Sequence, residues 1–343
     1  MCFCSILTWG GYRSSMKEKV RMADLAKQLG ISTVSVSNAL AGRKGVSDDL
    51  RRKVLALAHE TGYTLPRGRR LQTEGVLGIV MAEHFFTENT FYSHLYRCLS
   101  LTCGQYGYAP LLTIITAEDE KKKKLPAAWQ EKEPDGLIFM GEINRGLILR
   151  AAEKGIPCLL LDFYDADLHL PCIVSDNLNG GFMLTRHLLQ SGRRQIGFVG
   201  SIHATTSIMD RYLGYCRALL ANDLTPTPHW RLEDRDASGR LIPLSLPENL
   251  PQAFVCSCDE VACRLVQALQ EQGLRVPEDV AVAGYDDYRA SQLCIPPLTS
   301  YHVEPDIMAQ QAVATMVQLQ TKGMAPLLHT IVPGYPVFRR STG

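Results

Sequence analysis

Long apolar runs are missing from this 343-residue chain. Nowhere do apolar residues approach the ~20 in a row that a membrane-spanning helix needs, so no membrane partner is expected. Metal-ligand spacing is missing too. The 11 cysteines are scattered, and Cys256, Cys258 and Cys263 have neither a second pair nor a neighbouring histidine. The nine histidines are dispersed, so no metal and no cofactor is expected. Unpatterned thiols in a chain of this size suit the reducing cytoplasm. There is no glycine-rich phosphate loop, no nucleophile elbow and no paired-carboxylate spacing, which argues against an enzyme. A large net charge is also absent, at +1 overall.

That near-neutrality hides an asymmetry. Residues 16–75 hold 12 Lys/Arg against 6 Asp/Glu, and the rest of the chain is net acidic. A basic head on an acidic body suits a polyanion binder whose body is kept away from the polyanion. With 46% hydrophobic and 21% charged residues, the chain is globular, and its length predicts more than one domain. Residues 1–15 are apolar but lack the charged segment and cleavage site of an export signal. Translation is expected to begin at Met16, with 1–15 disordered or a mis-assigned start.

The head, 16–62, predicts three helices. Met22, Leu25, Ala26 and Leu29 recur on one helical face, Gly30 ends that helix, and Ser32 caps the next. In the second helix Val36, Ala39 and Leu40 point inward, leaving Thr33, Val34, Ser37 and Asn38 outward. Small polar side chains and a valine suit a DNA groove: a valine or threonine methyl meets a thymine methyl, and Asn38 hydrogen-bonds a base edge. The hydroxyl of Ser32 and the helix start suit phosphates. Gly42-Arg43-Lys44-Gly45 forms a basic loop, and Ser47 caps a third helix from Asp48 to about Thr61, with Val54, Leu57 and Ala58 inward.

From Val76 the rhythm changes to short apolar strands alternating with helices, which predicts parallel doubly wound sheets. The units are too many for one sheet, so two α/β lobes are expected, with an N-lobe of about 76–192 and 301–330 and a C-lobe of about 193–300 and 331–343. Ligands of such sheets lie off the carboxyl ends of the strands. That places Phe85 and Phe86, Asp162 and Phe163, Cys258 and Asp259, and Asp286 and Asp287 around a cleft between the lobes. Carboxylates grip vicinal hydroxyls and rings cover an apolar sugar face, so a sugar or polyol is the expected ligand.

Asp24-Leu25-Ala26, Gly30-Ile31-Ser32, Val36-Ser37, Val46-Ser47 and Gly62-Tyr63 together resemble the head of the lactose-repressor (LacI/GalR) family of transcription regulators. Val174-Ser175-Asp176-Asn177, Gly192 to Gly200, Asp210 to Tyr215, Val276 to Val280, Gly284-Tyr285-Asp286-Asp287 and Pro296 to Ser300 are similar to that family's effector core. The resemblance implies a helix-turn-helix head, a hinge at 63–75, and a two-lobed core like periplasmic sugar-binding proteins. It places Thr33, Val34 and Asn38 at base-reading positions, Arg211 and Asp286 at effector contacts, and Leu71 where the family wedges a leucine into the minor groove. Cys258 stands where the family often has asparagine. Gly68, at roughly 1 kcal/mol against alanine in a helix, works against the short helix the family folds in its hinge.

The implied function is a cytoplasmic, homodimeric, ligand-responsive repressor of carbohydrate-utilisation genes that binds a double-stranded operator through two heads. Three other readings stay open at this point: a solute-binding protein of a sugar transport system, a sugar hydrolase or kinase on the same scaffold, and a family regulator driven by a protein partner.

Overall fold

A computed structural model describes residues 22–40, 50, 53–54, 56–58, 61, 75–88, 90–126, 129, 133–322 and 328–343. The chain divides into two compact units, Met1–Gln72 and Thr73–Gly343. Residues 1–15, the loop holding Arg43 and the hinge holding Leu71 lie outside the described residues.

In the first unit, helices α1 (Met22–Leu29) and α2 (Thr33–Leu40) flank a turn at Gly30, whose φ of +65° is open to glycine at no steric cost. Residues 50, 53–54 and 56–58 are helical, within the span expected for a third helix. Leu25, Ala26, Val36, Ala39, Val54 and Ala58 form the small core. Leu57, expected inward, is half-buried against it.

The second unit carries two parallel sheets. Strands β1 (Gly75–Ala82), β2 (Tyr108–Ile115), β3 (Gly136–Met140), β4 (Cys158–Leu161), β5 (Cys172–Ser175) and β11 (His329–Val332) form one, in the order β11-β5-β4-β3-β1-β2. Strands β6 (Ile196–Val199), β7 (Arg231–Leu232), β8 (Ala253–Cys256) and β9 (Ala281–Ala283) form the other, in the order β7-β6-β8-β9. Every pairing in both sheets is parallel. Continuous apolar strands such as Leu137-Ile138-Phe139-Met140 are buried on both faces, as covered parallel sheets require. A separate antiparallel pair, β10 (Ser300–His302) with β12 (Tyr335–Val337), was not expected from the pattern.

The lobe boundaries need correction in two places. The helix Asn177–Gln190, assigned by sequence to the N-lobe, packs along Thr206–Leu220 of the other lobe. Contact is so close that a Cβ on Gly181 would lie 2.1 Å from the Arg211 carbonyl oxygen, and one on Gly214 2.0 Å from that of Leu178. The first lobe therefore ends after β5. At the other end, Ile331 and Val332 pair with β5 in the first sheet, and only beyond Gly334 does the chain join β10. Gly334 permits that switch: a Cβ there would sit 2.1 Å from the His302 carbonyl oxygen.

Candidate functional site

The head presents a short polar helix. Ser32 Oγ accepts from Ser35 N at 3.0 Å, the capping bond its position predicts. Thr33 and Val34 project into solvent, Val34 at 65% exposure, and Asn38 is half-buried. A valine left this bare at the start of a capped helix loses apolar burial and serves the fold little. The side chains of Ser37 and Leu40 lie outside the described residues.

In the second unit the carboxyl ends of the strands converge on a small, half-open cavity of about 30 Å³. Phe85 and Tyr92 reach it from the helices after β1, Asp162 follows β4, Ser257 and Cys258 follow β8, and Asp286 follows β9. Arg211 enters from the second turn of Thr206–Leu220, whose N-cap Thr205 accepts from Ile208 N at 3.1 Å. The Arg211 guanidinium is held on every side. Its Nε donates to Asn177 Oδ1 at 2.8 Å, its Nη1 donates to the Ser257 carbonyl at 2.5 Å, and its Cζ lies over the Tyr285 ring, 3.8 Å from the ring centre. Asp286 Oδ1 pairs with Nη1 at 3.5 Å. A relay joins this fork to the other lobe: Asn177 Nδ2 donates to Ser207 Oγ at 3.2 Å, and Ser207 Oγ donates to the Asp162 carbonyl at 2.8 Å. The Tyr92 hydroxyl donates to Asp162 Oδ2 at 2.8 Å.

Among the described residues, three buried polar atoms here have no hydrogen-bond partner: Asp162 Oδ1, Asp286 Oδ1 and Arg235 Nε. The last two have only ion-pair neighbours, Arg211 at 3.5 Å and Asp234 at 3.3 Å. Buried polar groups are nearly always hydrogen-bonded, so three such atoms around one cavity are an unusual concentration. Asp162 and Asp286 also hold φ of 67° and 100°, in the left-handed region that side chains other than glycine rarely take. Burial pushes the Cys258 thiol up to about 11, so it stays protonated, 3.9 Å from Arg235 Nη2.

Burial pushes the Asp286 carboxyl up to about 7, although Arg211 pulls the other way. Its unfolded value is ~3.9, so between these limits the folded chain holds the proton more firmly than the unfolded chain does. The contribution of Asp286 to stability therefore falls as pH rises from about 4 to about 7 and levels off above. Burial raises Asp162 and Asp259 in the same direction, adding to the slope. Asp286→Asn, which never ionises, is expected to make the urea midpoint fall less across that window than in the parent chain. An equal fall in both would show that Asp286 is not one of the titrating groups.

Phe85, Asp162, Arg211, Cys258 and Asp286 thus line one cavity, while four other sequence-predicted residues do not: Phe163 borders the outer cleft, Asp287 is held by Arg339 and His302, and Phe86 and Asp259 point elsewhere. Phe86 is 48% exposed, because the helix Glu83–Glu88 starts directly after β1 and turns successive side chains by roughly 100°. Asp259 faces away: its Oδ1 accepts from Ser300 Oγ at 2.6 Å and its Oδ2 from Tyr288 N at 2.8 Å. Sequence reasoning missed Tyr92, Arg235 and Asn177. Asn177 closed a quoted motif, and Arg235 follows β7, a strand of two residues with no readable pattern. Beyond Phe85 and Arg235 a cleft of about 1060 Å³ opens, bordered by His84, Glu142, Tyr164 and Arg240.

Comparisons with known proteins agree with this architecture. Residues 185–342 match the family described as periplasmic binding protein-like domain. The helix-turn-helix-type transcriptional repressor PurR of Haemophilus influenzae (strain PittEE) is 30% identical over 305 residues, covering 86% of this chain and 89% of its own. The ribose operon repressor of Haemophilus influenzae (strain Rd) is 26% identical over 304 residues, covering 87% and 91%. Among solved structures, the Lac repressor dimer bound to operator and the anti-inducer ONPF superposes with a TM-score of 0.66 at 23% identity, over 95% of this chain and 99% of that one. The transcriptional regulator CelR in complex with cellobiose gives 0.67 at 19% identity, over 94% and 100%. With helix-turn-helix spacing at one end, a two-lobed core at the other and a repressor relative spanning nearly the whole length, this chain belongs to the lactose-repressor (LacI/GalR) family of DNA-binding transcriptional regulators.

Proposed function

We propose that this protein is a homodimeric repressor of carbohydrate-utilisation genes, controlled by a sugar or polyol bound between its lobes. The observation that carries the effector site is the convergence of Arg211, Asp162 and Asp286, with carboxylate oxygens that accept no hydrogen bond, on one cavity fed from both lobes. Hydroxyl groups suit those oxygens, which accept, and suit Arg235, which donates. The inner cavity has room for about one water, whereas small-molecule sites run to roughly 300–1,000 Å³. The ligand therefore fills the outer cleft and parts the lobes enough to bring one end to Arg211. The ribose operon repressor and the CelR–cellobiose complex are carbohydrate-linked by name, which favours this ligand class.

A thermal-shift screen against pentoses, hexoses, disaccharides, polyols and nucleobases tests the class. A ligand at 100 times its Kd stabilises by ~2.7 kcal/mol, enough for a clear rise in Tm. Stabilisation by sugars or polyols alone is the expected result, and stabilisation by nucleobases alone would replace the sugar reading with a purine one.

In the head we assign base contacts to Thr33, Val34 and Asn38, phosphate contacts to Ser32, Ser37 and Arg43, and a minor-groove wedge to Leu71. Val34→Ala removes an exposed side chain, so the head should keep its fold while its operator preference shifts. A selection from randomised duplexes should return a changed base at one position per half-site, with good base contacts worth ~1–3 kcal/mol. An unchanged preference would remove Val34 from the reading surface.

A further inference from the structure

We propose that His94, Cys98 and Asp306 form a binding site for a zinc-class divalent cation, separate from the interlobe cavity. Their ligating atoms all lie within 4.8 Å of one another. His94 and Cys98 stand four apart on the helix Thr90–Gln105 and so share one face of it. Asp306 sits in the first turn of Pro305–Lys322, a helix that packs directly against the first. Two helices thus present an imidazole, a thiol and a carboxylate to one point.

The donor set selects the ion. A tetrahedral zinc ion at its usual bond lengths holds such donors roughly 3.3–3.7 Å apart, so side-chain adjustments of about 1 Å complete the site. Thiolate with imidazole favours zinc-like ions over magnesium or calcium, which take oxygen ligands. Three protein ligands leave a fourth position for water. Arg97 is a positive neighbour of both His94 and Cys98, which disfavours an ion held by charge alone and leaves one that bonds to sulfur and nitrogen. Cys98 ligates a metal as its thiolate, so binding forms a metal–sulfur bond and releases the thiol proton to solvent.

The position gives the ion a mechanical consequence. The His94 ring meets the Tyr288 ring edge-on at 5.3 Å, and Tyr288 lies two residues beyond Asp286. An ion there would tie the N-lobe helix to the segment by which the chain returns from the other lobe. Sequence spacing hid the site, because its third ligand lies near the opposite end of the chain.

Titrating the reduced full-length protein with cobalt(II) reads the thiolate directly, through its sulfur-to-cobalt charge-transfer band. The band should saturate at one equivalent per chain and be displaced by zinc. Cys98→Ser should abolish it, while Cys263→Ser, which changes a half-buried thiol elsewhere, should leave it intact. His94→Gln and Asp306→Asn should each weaken cobalt at least about tenfold, since even partners outside the ligand shell are worth about 10–100-fold. No band in the parent protein, or a band that survives in Cys98→Ser, overturns the site. If Cys98→Ser fails to fold, undiminished affinity in both His94→Gln and Asp306→Asn overturns it equally.

Discussion

Arg211→Ala is expected to cost about 3–5 kcal/mol of folding stability and to abolish effector binding. The guanidinium is fully enclosed, with Asn177, the Ser257 carbonyl, Asp286 and the Tyr285 ring as its neighbours. Truncating one member of a buried charge pair leaves the other desolvated and unpaired, which is the costly case at and above about pH 7, where Asp286 is ionised. Asp286 would lose its 3.5 Å partner, and the Asn177 and Ser257 oxygens would lose a donor. Urea unfolding monitored by tryptophan fluorescence reads the first effect, and calorimetry with the effector found by screening reads the second. Arg211→Lys separates the two. It keeps the charge near Asp286 but has no planar fork to satisfy Asn177 and Ser257 together and no plane to lie on Tyr285. It should recover part of the stability while effector binding stays weak. An alanine variant within 1 kcal/mol of the parent chain would mean that the cluster is far better hydrated than its burial implies.

Gly181→Ala is expected to be nearly as damaging through packing alone. The added carbon would lie 2.1 Å from the Arg211 carbonyl oxygen, and neither backbone can yield without moving its helix. Overpacking typically costs ~1–3 kcal/mol, and a clash with backbone instead of a flexible side chain belongs at or above the top of that range. Because the displaced carbonyl belongs to Arg211 itself, effector affinity should fall as well. Gly214→Ala drives the same two helices apart from the other side, at 2.0 Å from the Leu178 carbonyl oxygen. One separation relieves both clashes, so the double variant should cost less than the sum of the two single ones. Gly104→Ala is the control. It lies in a helix with nothing within 4 Å of its new carbon, and should be neutral or stabilising by up to ~1 kcal/mol. Equal behaviour of all three in urea titrations would contradict the helix contact described.

The two-lobed α/β organisation was legible in the sequence because it is periodic. Apolar runs such as Val76 to Met81 and Val280 to Ala283 mark covered parallel strands, and the residues after them are forced to one edge, which is why Asp162 and Asp286 could be found. The same rule misplaced Asp259, which follows β8 equally but is claimed by Ser300 and the Tyr288 amide, partners brought by the β9 end and β10. It could not choose between Phe85 and Phe86, since that depends on where the helix begins. Tyr92 was hidden in an ordinary amphipathic pattern, and Arg235 in a stretch with none. Lobe boundaries were blurred for a related reason: the helix Asn177–Gln190 follows a strand of one lobe but packs against the other through glycines, which carry no hydropathy signal.

The central claim is that a ligand held by the Arg211 cluster controls the grip on DNA. Its most direct test is the operator affinity of the intact protein, measured by fluorescence anisotropy with and without saturating effector, in parallel for the parent chain and Arg211→Lys. Coupling free energies between two sites are typically 1–3 kcal/mol. Effector is expected to change the operator Kd of the parent chain by about 5–150-fold and to leave that of Arg211→Lys nearly unchanged. An effector that binds the parent chain yet leaves its operator Kd unmoved, or moves both proteins equally, would contradict that claim.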